Sequence, residues 1–205
     1  MRALLIVDVQ YDFLPGGALP VPEGHLVIPA INSILDRFPL VVATQDWHPA
    51  NHGSFASNHP GRSPFETGEL NGLPQVFWPD HCVQGSQGAR ISEEIPQERI
   101  QMILRKGTDP TVDSYSAFFD NRRARPTGLC GYLKERGVRQ VWIAGLAGDY
   151  CAYYSAVDAS ELGFQVVFLE DATRPISPQG FLKAKEDMAR RGIRIANAGQ
   201  LTWEE

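Results

Sequence analysis

Short apolar runs rich in β-branched residues recur along the chain, and between them hydrophobic positions fall at helical spacing. The runs Ala3 to Val9, Leu40 to Thr44, Gln101 to Arg105, Gln140 to Ala144, Gln165 to Leu169 and Arg194 to Asn197 read as strands. Between the first two, Val27, Ile31, Ile34, Leu35 and Phe38 mark a helix that Pro39 must end, because proline offers no N–H and blocks the preceding turn. Thr127 can cap a helix carrying Leu129 and Leu133 and closing at Gly137. Asp149 can cap another that ends at Gly163, and a last helix spans Pro178 to Arg191 with Gly192 as its exit. Strands alternating with helices predict βαβ units: an open six-stranded parallel sheet with helices on both faces, a three-layer α/β/α architecture.

One stretch breaks the rhythm. From Asp46 to about Glu98 the chain is rich in Pro, Gly, Asn, His and aromatic residues and holds no sustained period. Its Trp47, Phe55, Phe65, Phe77 and Trp78 argue against disorder, so it reads as an ordered lobe over the strand ends. The remaining pattern leaves no second set of elements, and the whole of 1–205 is expected to form one domain.

Composition narrows the function. A net charge of −5 and scattered basic residues give no footprint for nucleic acid. No apolar run is long enough to span a bilayer, and the opening run is too short for a signal-peptide core. Three cysteines, with no Cys-x-x-Cys pair, make neither a disulfide framework nor a thiolate metal site, so a reducing, cytoplasmic setting is expected. The expected partner is a small molecule, with a homo-oligomer left open.

Polar residues then stand out at the ends of the apolar runs. Asp8 ends the first, Asp46 follows the second, Lys106 the third, and Cys151 lies beyond the fourth. In an open parallel sheet, ligands bind outside the carboxyl ends of the strands, where these groups would converge. A lone cysteine is more often a small buried residue, the role expected of Cys82 and Cys130. Cys151 differs because Gly145 to Cys151 forms a strand-to-helix turn, and a helix N-terminus with a nearby cation lowers a thiol's pKa. Asp8 in an apolar strand and a buried Lys106 each need a partner, and together with Cys151 they supply a proton carrier, a charge partner and a nucleophile. Asp46-Trp47-His48 places a carboxylate and an imidazole on one side of an extended segment, a pair suited to Zn, Fe or Mn. His52, His59 and His81 are candidates for a third ligand; His81 is favoured because Trp78-Pro79-Asp80-His81 returns from the lobe toward the same mouth.

These residues, taken in order, resemble the nicotinamidases of the isochorismatase-like hydrolases. The resemblance runs through Val7-Asp8-Val9-Gln10 and Asp12-Phe13, Asp46 to Phe55, Trp78 to Gly85, Lys106-Gly107-Thr108, Asp113 to Phe118 and Gly145 to Cys151. It implies Asp8, Lys106 and Cys151 as a catalytic triad and Asp46, His48 and His81 as ligands of one divalent transition metal, with Zn ahead of Fe or Mn. It further implies an oxyanion hole from the N–H groups of Ala147 and Cys151, a cis Leu146-Ala147 bond, and a substrate slot of Phe13, Leu19, Trp78, Tyr115 and Tyr150. The implied reaction is hydrolysis of nicotinamide to nicotinate and ammonia through a cysteine thioester, as in NAD salvage, with pyrazinamide also accepted. A second reading is a related amidase acting on a carbamoyl or ureido substrate, which would not need Asp46-x-His48. Two positions depart from the family's habit: Gly148 stands where threonine is usual and Ala152 where valine is.

Overall fold

The computed structural model describes residues 1–200; the last five positions of the expected domain lie outside the described residues. A six-stranded, all-parallel sheet has the order β5-β2-β1-β6-β7-β8. Its strands are β1 Arg2–Val7, β2 Val41–Asp46, β5 Met102–Lys106, β6 Gln140–Leu146, β7 Gln165–Arg174 and β8 Arg194–Ala196. β1 and β6 lie at the centre, where both faces are covered, so they appear in the sequence as continuous apolar runs rather than alternating ones. β5 is an edge strand, and there alternation returns: Leu104 and Lys106 are buried while Ile103 and Arg105 face outward. That alternation turns the Lys106 side chain inward.

Helices cover both faces. Helix α1, Val27–Ile34, lays Ile28, Ile31 and Ile34 on one face against Leu4, Ile6 and Trp142. Helices α2 (Leu129–Glu135), α3 (Cys151–Glu161) and α4 (Pro178–Arg190) build the opposite core, with Leu129, Leu133, Ala156 and Met188 packed beside Leu5, Val141 and Ile143. Each such aliphatic side chain, fully withdrawn from water, contributes roughly 1.5–3 kcal/mol. No helix among the described residues is long and apolar enough to cross a membrane.

Several boundaries differ from the sequence reading. β7 runs on to Arg174, five residues past the expected end, because after an irregularity near Gly145 its Thr173 and Arg174 pair with Gly145 and Leu146 of β6. The lobe is mostly irregular, as expected, but carries a hairpin, β3 (Thr67–Leu70) and β4 (Leu73–Val76). Asn71 and Gly72 turn it with φ of 50° and 82°, the left-handed pair that an Asn-Gly turn favours. Gly128 is the N-cap of α2, while Thr127, one residue earlier, accepts the Leu129 N–H at 3.3 Å. Asp149 does not cap α3; its carboxylate is turned toward the segment before α4.

The strand order defines the site. From β1 the chain moves to β2 on one side, and from β6 it moves to β7 on the other, so the connections part between β1 and β6. Such a switch point opens a crevice at the carboxyl ends of those strands. Asp8 and the turn leading to Cys151 stand on its two sides.

Candidate active site

Asp8 follows β1 directly and adopts φ 48°, a left-handed conformation that costs a non-glycine residue energy unless neighbours hold it. Thr44 of β2 is that neighbour: its hydroxyl donates to Asp8 Oδ1 at 2.6 Å and accepts the Asp8 N–H at 3.1 Å. Opposite, Gly145 has φ 113°, and a Cβ there would enter the Val7 backbone, so only glycine lets the two central strands approach this closely.

Lys106 is wholly buried and links every charged group nearby. Its Nζ lies 2.8 Å from Asp8 Oδ2, 2.6 Å from Asp46 Oδ1 and 3.4 Å from Cys151 Sγ, and it donates to the Ser114 carbonyl at 3.0 Å. Burial alone would lower its pKa, but Asp46 and Asp8 hold it well above the ordinary lysine value, so the ammonium persists. Asp8 is raised to about 6 by burial and by Asp46, against the pull of Lys106. It is mostly ionised at neutral pH yet basic enough to take a proton. Its Oδ2 sits off the direction of a well-formed hydrogen bond from Lys106, which leaves a lone pair for the thiol.

Cys151 is the first residue of α3. A helix N-terminus and a nearby cation would lower its pKa, but burial raises it well above the usual thiol value, with Asp8 and Asp46 adding to the rise and Lys106 opposing it. Cys151 therefore rests as a neutral thiol, with Asp8 beside it as a group able to take up its proton. Cys82 is buried next to His81 at the edge of the site, where its carbonyl accepts the His48 N–H at 3.0 Å and its N–H donates to Asp12 Oδ2 at 2.7 Å, and Cys130 is half-buried on α2.

Beside the triad, Asp46 Oδ2 faces His48 Nε2 at 3.5 Å and His81 Nε2 at 4.0 Å, and the three residues form a group able to hold a metal ion. Both imidazoles are oriented from behind. His48 Nδ1 donates to the Gly107 carbonyl at 2.8 Å and His81 Nδ1 to that of Pro79 at 2.7 Å, so each Nε2 is turned toward Asp46 and is the atom that would ligate a metal when its ring is neutral. Gly107 is constrained in turn: at φ 64°, a Cβ would run into the His48 ring. Asp46 would be raised by burial, but Lys106 and His48 hold it well below the usual carboxylate range. Gln10 fixes its backbone, accepting the Asp46 N–H and donating to its carbonyl, both at 2.8 Å. Burial and His48 lower His81 to about 4, which keeps it neutral, the form that ligates metals.

The other histidines are accounted for differently. His52 is buried, its ring centroid 4.3 Å from that of His48, and forms a second group with His48 and Asp113. Its Nδ1 meets the Ser54 hydroxyl at 2.7 Å and the Ser54 N–H at 3.2 Å, while its Nε2 is buried without a hydrogen-bond partner. His59 donates from Nε2 to the Gly53 carbonyl at 2.7 Å and stacks edge-on against Phe77. His25 is exposed.

Between nucleophile and imidazoles lies a narrow crevice. Phe13, Leu19, Trp78, Tyr115 and Tyr150 all line it, together with Ala147. Trp78 donates from Nε1 to Tyr115 Oη at 3.3 Å, and Gln75, delivered by the hairpin, also reaches that hydroxyl at 3.2 Å. The Leu146-Ala147 peptide bond is cis. Among the described residues neither the Ala147 nor the Cys151 N–H has an acceptor, so both remain available to an anion at the nucleophile. Thr44, Gln10, Asp113 and Ile176 join the site without a role assigned from the sequence. Gln10 and Asp113 lay within motifs already noted, whereas Ile176, in a loop beyond β7, carried no local signal.

Known proteins similar to this chain cover nearly its whole length. The family model described as the isochorismatase domain matches residues 2–200. A nicotinamidase of Escherichia coli is 45% identical over 210 residues, covering 100% of this chain and 97% of its own. A solved nicotinamidase and pyrazinamidase structure from Acinetobacter baumanii is 44% identical with a TM-score of 0.95, covering 98% of both chains. A pyrazinamidase of Pyrococcus horikoshii, solved in complex with zinc, is 39% identical with a TM-score of 0.78 and covers 96% of this chain and 98% of its own.

Proposed function

The chain belongs to the isochorismatase family, and we propose that within it the protein is a nicotinamidase that cleaves the carboxamide of nicotinamide through a thioester on Cys151. The observation that carries this reading is the junction at Lys106. One buried ammonium touches both the nucleophilic pair Asp8 and Cys151 and the metal-type carboxylate Asp46. A thiol amidase and a metal anchor thus share one crevice lined by aromatic rings, which suits a flat heteroaromatic amide.

Asp8 accepts the thiol proton as Cys151 Sγ attacks the carboxamide carbon. The carbonyl oxygen becomes an oxyanion, held by the Ala147 and Cys151 N–H groups, each worth about 3 kcal/mol in such a role. Asp8 then gives its proton to the departing nitrogen, the C–N bond breaks, ammonia leaves and an S-acyl enzyme remains. Water enters, Asp8 takes one of its protons, and hydroxide attacks the thioester carbon. The C–S bond breaks, the sulfur is reprotonated by Asp8, and nicotinate departs. Lys106 stabilises the Asp8 anion and the negative charge arriving on sulfur throughout.

Asp46, His48 and His81 would hold a divalent transition metal, with zinc the first candidate given the zinc-bearing relative. Bound there, the ion would supply a Lewis-acidic centre for a ring nitrogen. Release of ammonia and nicotinate from nicotinamide, followed by enzyme-coupled ammonia detection and chromatography, tests the reading. Absence of turnover by metal-loaded protein would overturn it.

A further inference from the structure

The mechanism uses Cys151 but leaves Asp149, two residues before it, without a task. Asp149 is nearly buried, and each of its carboxylate oxygens accepts a backbone N–H from a distant segment. Ile176 donates to Oδ1 and Ser177 to Oδ2, both at 2.8 Å. Gly148 adds a third tie, its N–H donating to the Arg174 carbonyl at 2.8 Å. Pro175, between these partners, has no N–H to give. The turn that presents the nucleophile is therefore stitched to residues 174–177.

Packing around this seam is close. A Cβ on Gly180 would come within 2.9 Å of Asp149 Oδ2, so the first turn of α4 sits tightly over the carboxylate. A Cβ on Gly148 would meet the Phe181 ring at 3.0 Å. Phe181 thus fills the space that a side chain at position 148 would need, which accounts for glycine at a position where threonine is usual. Ser177 caps α4 by accepting the Gly180 N–H at 3.2 Å, so the segment is pinned from both sides. Ile176, held between these ties, is half-buried and lines the crevice with Tyr150 and Cys151.

We infer that Asp149 is a positioning residue that fixes Ile176 as a specificity-determining wall of the substrate slot, excluding aromatic carboxamides whose ring bears a substituent on that side. The inference rests on the nicotinamidase reading. A shape-matched apolar wall distinguishes ligands differing by one carbon by about 10–200-fold, and it can do so only while its backbone is held.

The test measures kcat and KM separately for nicotinamide and for its 2-, 4-, 5- and 6-methyl derivatives, with wild type, Ile176→Ala, Asp149→Ala and Asp149→Asn. Ile176→Ala is expected to raise kcat/KM for at least one methylated isomer, relative to nicotinamide, by about 10-fold or more. Asp149→Ala should relax selectivity toward the same isomer and raise KM for nicotinamide more than it lowers kcat. Asp149→Asn, which keeps one acceptor, should fall between. An unchanged substrate ratio in Ile176→Ala overturns the wall; a shifted ratio there but not in a folded Asp149→Ala overturns the positioning role. Should wild type hydrolyse none of the amides, the activity reading fails, and calorimetric binding of nicotinate and the methylnicotinates to the same variants decides the wall independently.

Discussion

Replacing Lys106 by Met tests whether a single ammonium organises both halves of the site. In the wild type Nζ lies within 3.0 Å of a carboxylate oxygen of both Asp8 and Asp46, and among the described residues no other lysine or arginine pairs with either. Methionine keeps the length and apolar stem but leaves two buried carboxylates facing one another. Removing one partner of a buried ion pair costs about 3–5 kcal/mol, because the charge left behind is uncompensated. Part of that cost is avoided if Asp8 takes up a proton. Lys106 is the group that lowers Asp8 against burial, so without it the Asp8 pKa moves above about 6. The base must be ionised to act; hence wild-type kcat/KM should fall as pH drops through about 6, and the variant's acid limb should lie higher. The smaller ionised fraction of Asp8 at pH 7 and the loss of charge stabilisation at sulfur together give an expected drop of at least about 10³. Stability follows the same group. A folded pKa raised above the unfolded value favours the fold at acid pH and loses that contribution as pH rises through it, so urea melts of the variant should weaken from pH 5 to pH 8 more than those of wild type. An acid limb still near 6, with kcat/KM within 10-fold of wild type, would refute the coupling.

Cys151→Ala should abolish ammonia release to below a few per cent while leaving thermal melting and metal content unchanged, and Cys82→Ala, which leaves the Cys82 backbone contacts to His48 and Asp12 in place, should retain activity. Wild type should bind about one equivalent of divalent transition metal; His48→Ala or His81→Ala should lower affinity by well over 10-fold in competition with a chromophoric chelator. Full occupancy in His81→Ala would hand the third position to His52. Pyrazinamide, which keeps a nitrogen meta to the carboxamide, should be hydrolysed, whereas benzamide should lose at least about 100-fold in kcat/KM. Comparable rates for benzamide and nicotinamide would sink the metal-anchor role even with the triad intact.

The elements that were legible in the sequence are those whose causes are local. β1 and β6 are buried on both faces and so appear as unbroken apolar runs, while α1 shows its helical period and meets Pro39. The hairpin was legible in principle, through Asn71-Gly72, but Gly68 at an inward position and the buried polar Gln75 spoil the apolar alternation of its short, partly exposed strands. The extension of β7 was not, because it depends on pairing with the end of β6 after an irregularity that no local pattern records.

The chemical groups of the site were legible for a related reason: an aspartate or lysine at the end of an apolar strand is expensive, and the expense itself marks it. What the residue types could not convey was which force wins where several act on one atom. Cys151 has a helix N-terminus and a lysine beside it, both of which favour thiolate, yet it lies buried with Asp8 and Asp46 and stays protonated. Asp149 has the residue type and position of an α3 cap, yet two N–H groups 27 and 28 residues later claim its carboxylate. In both cases the outcome depends on groups distant in sequence, brought together only when the sheet closes its switch point. The same dependence makes the site testable in pairs: residues joined through Lys106, such as Asp8 and Asp46, should show coupled effects on the pH profile, while Ile176, joined through Asp149, should alter substrate choice with the profile's acid limb left in place.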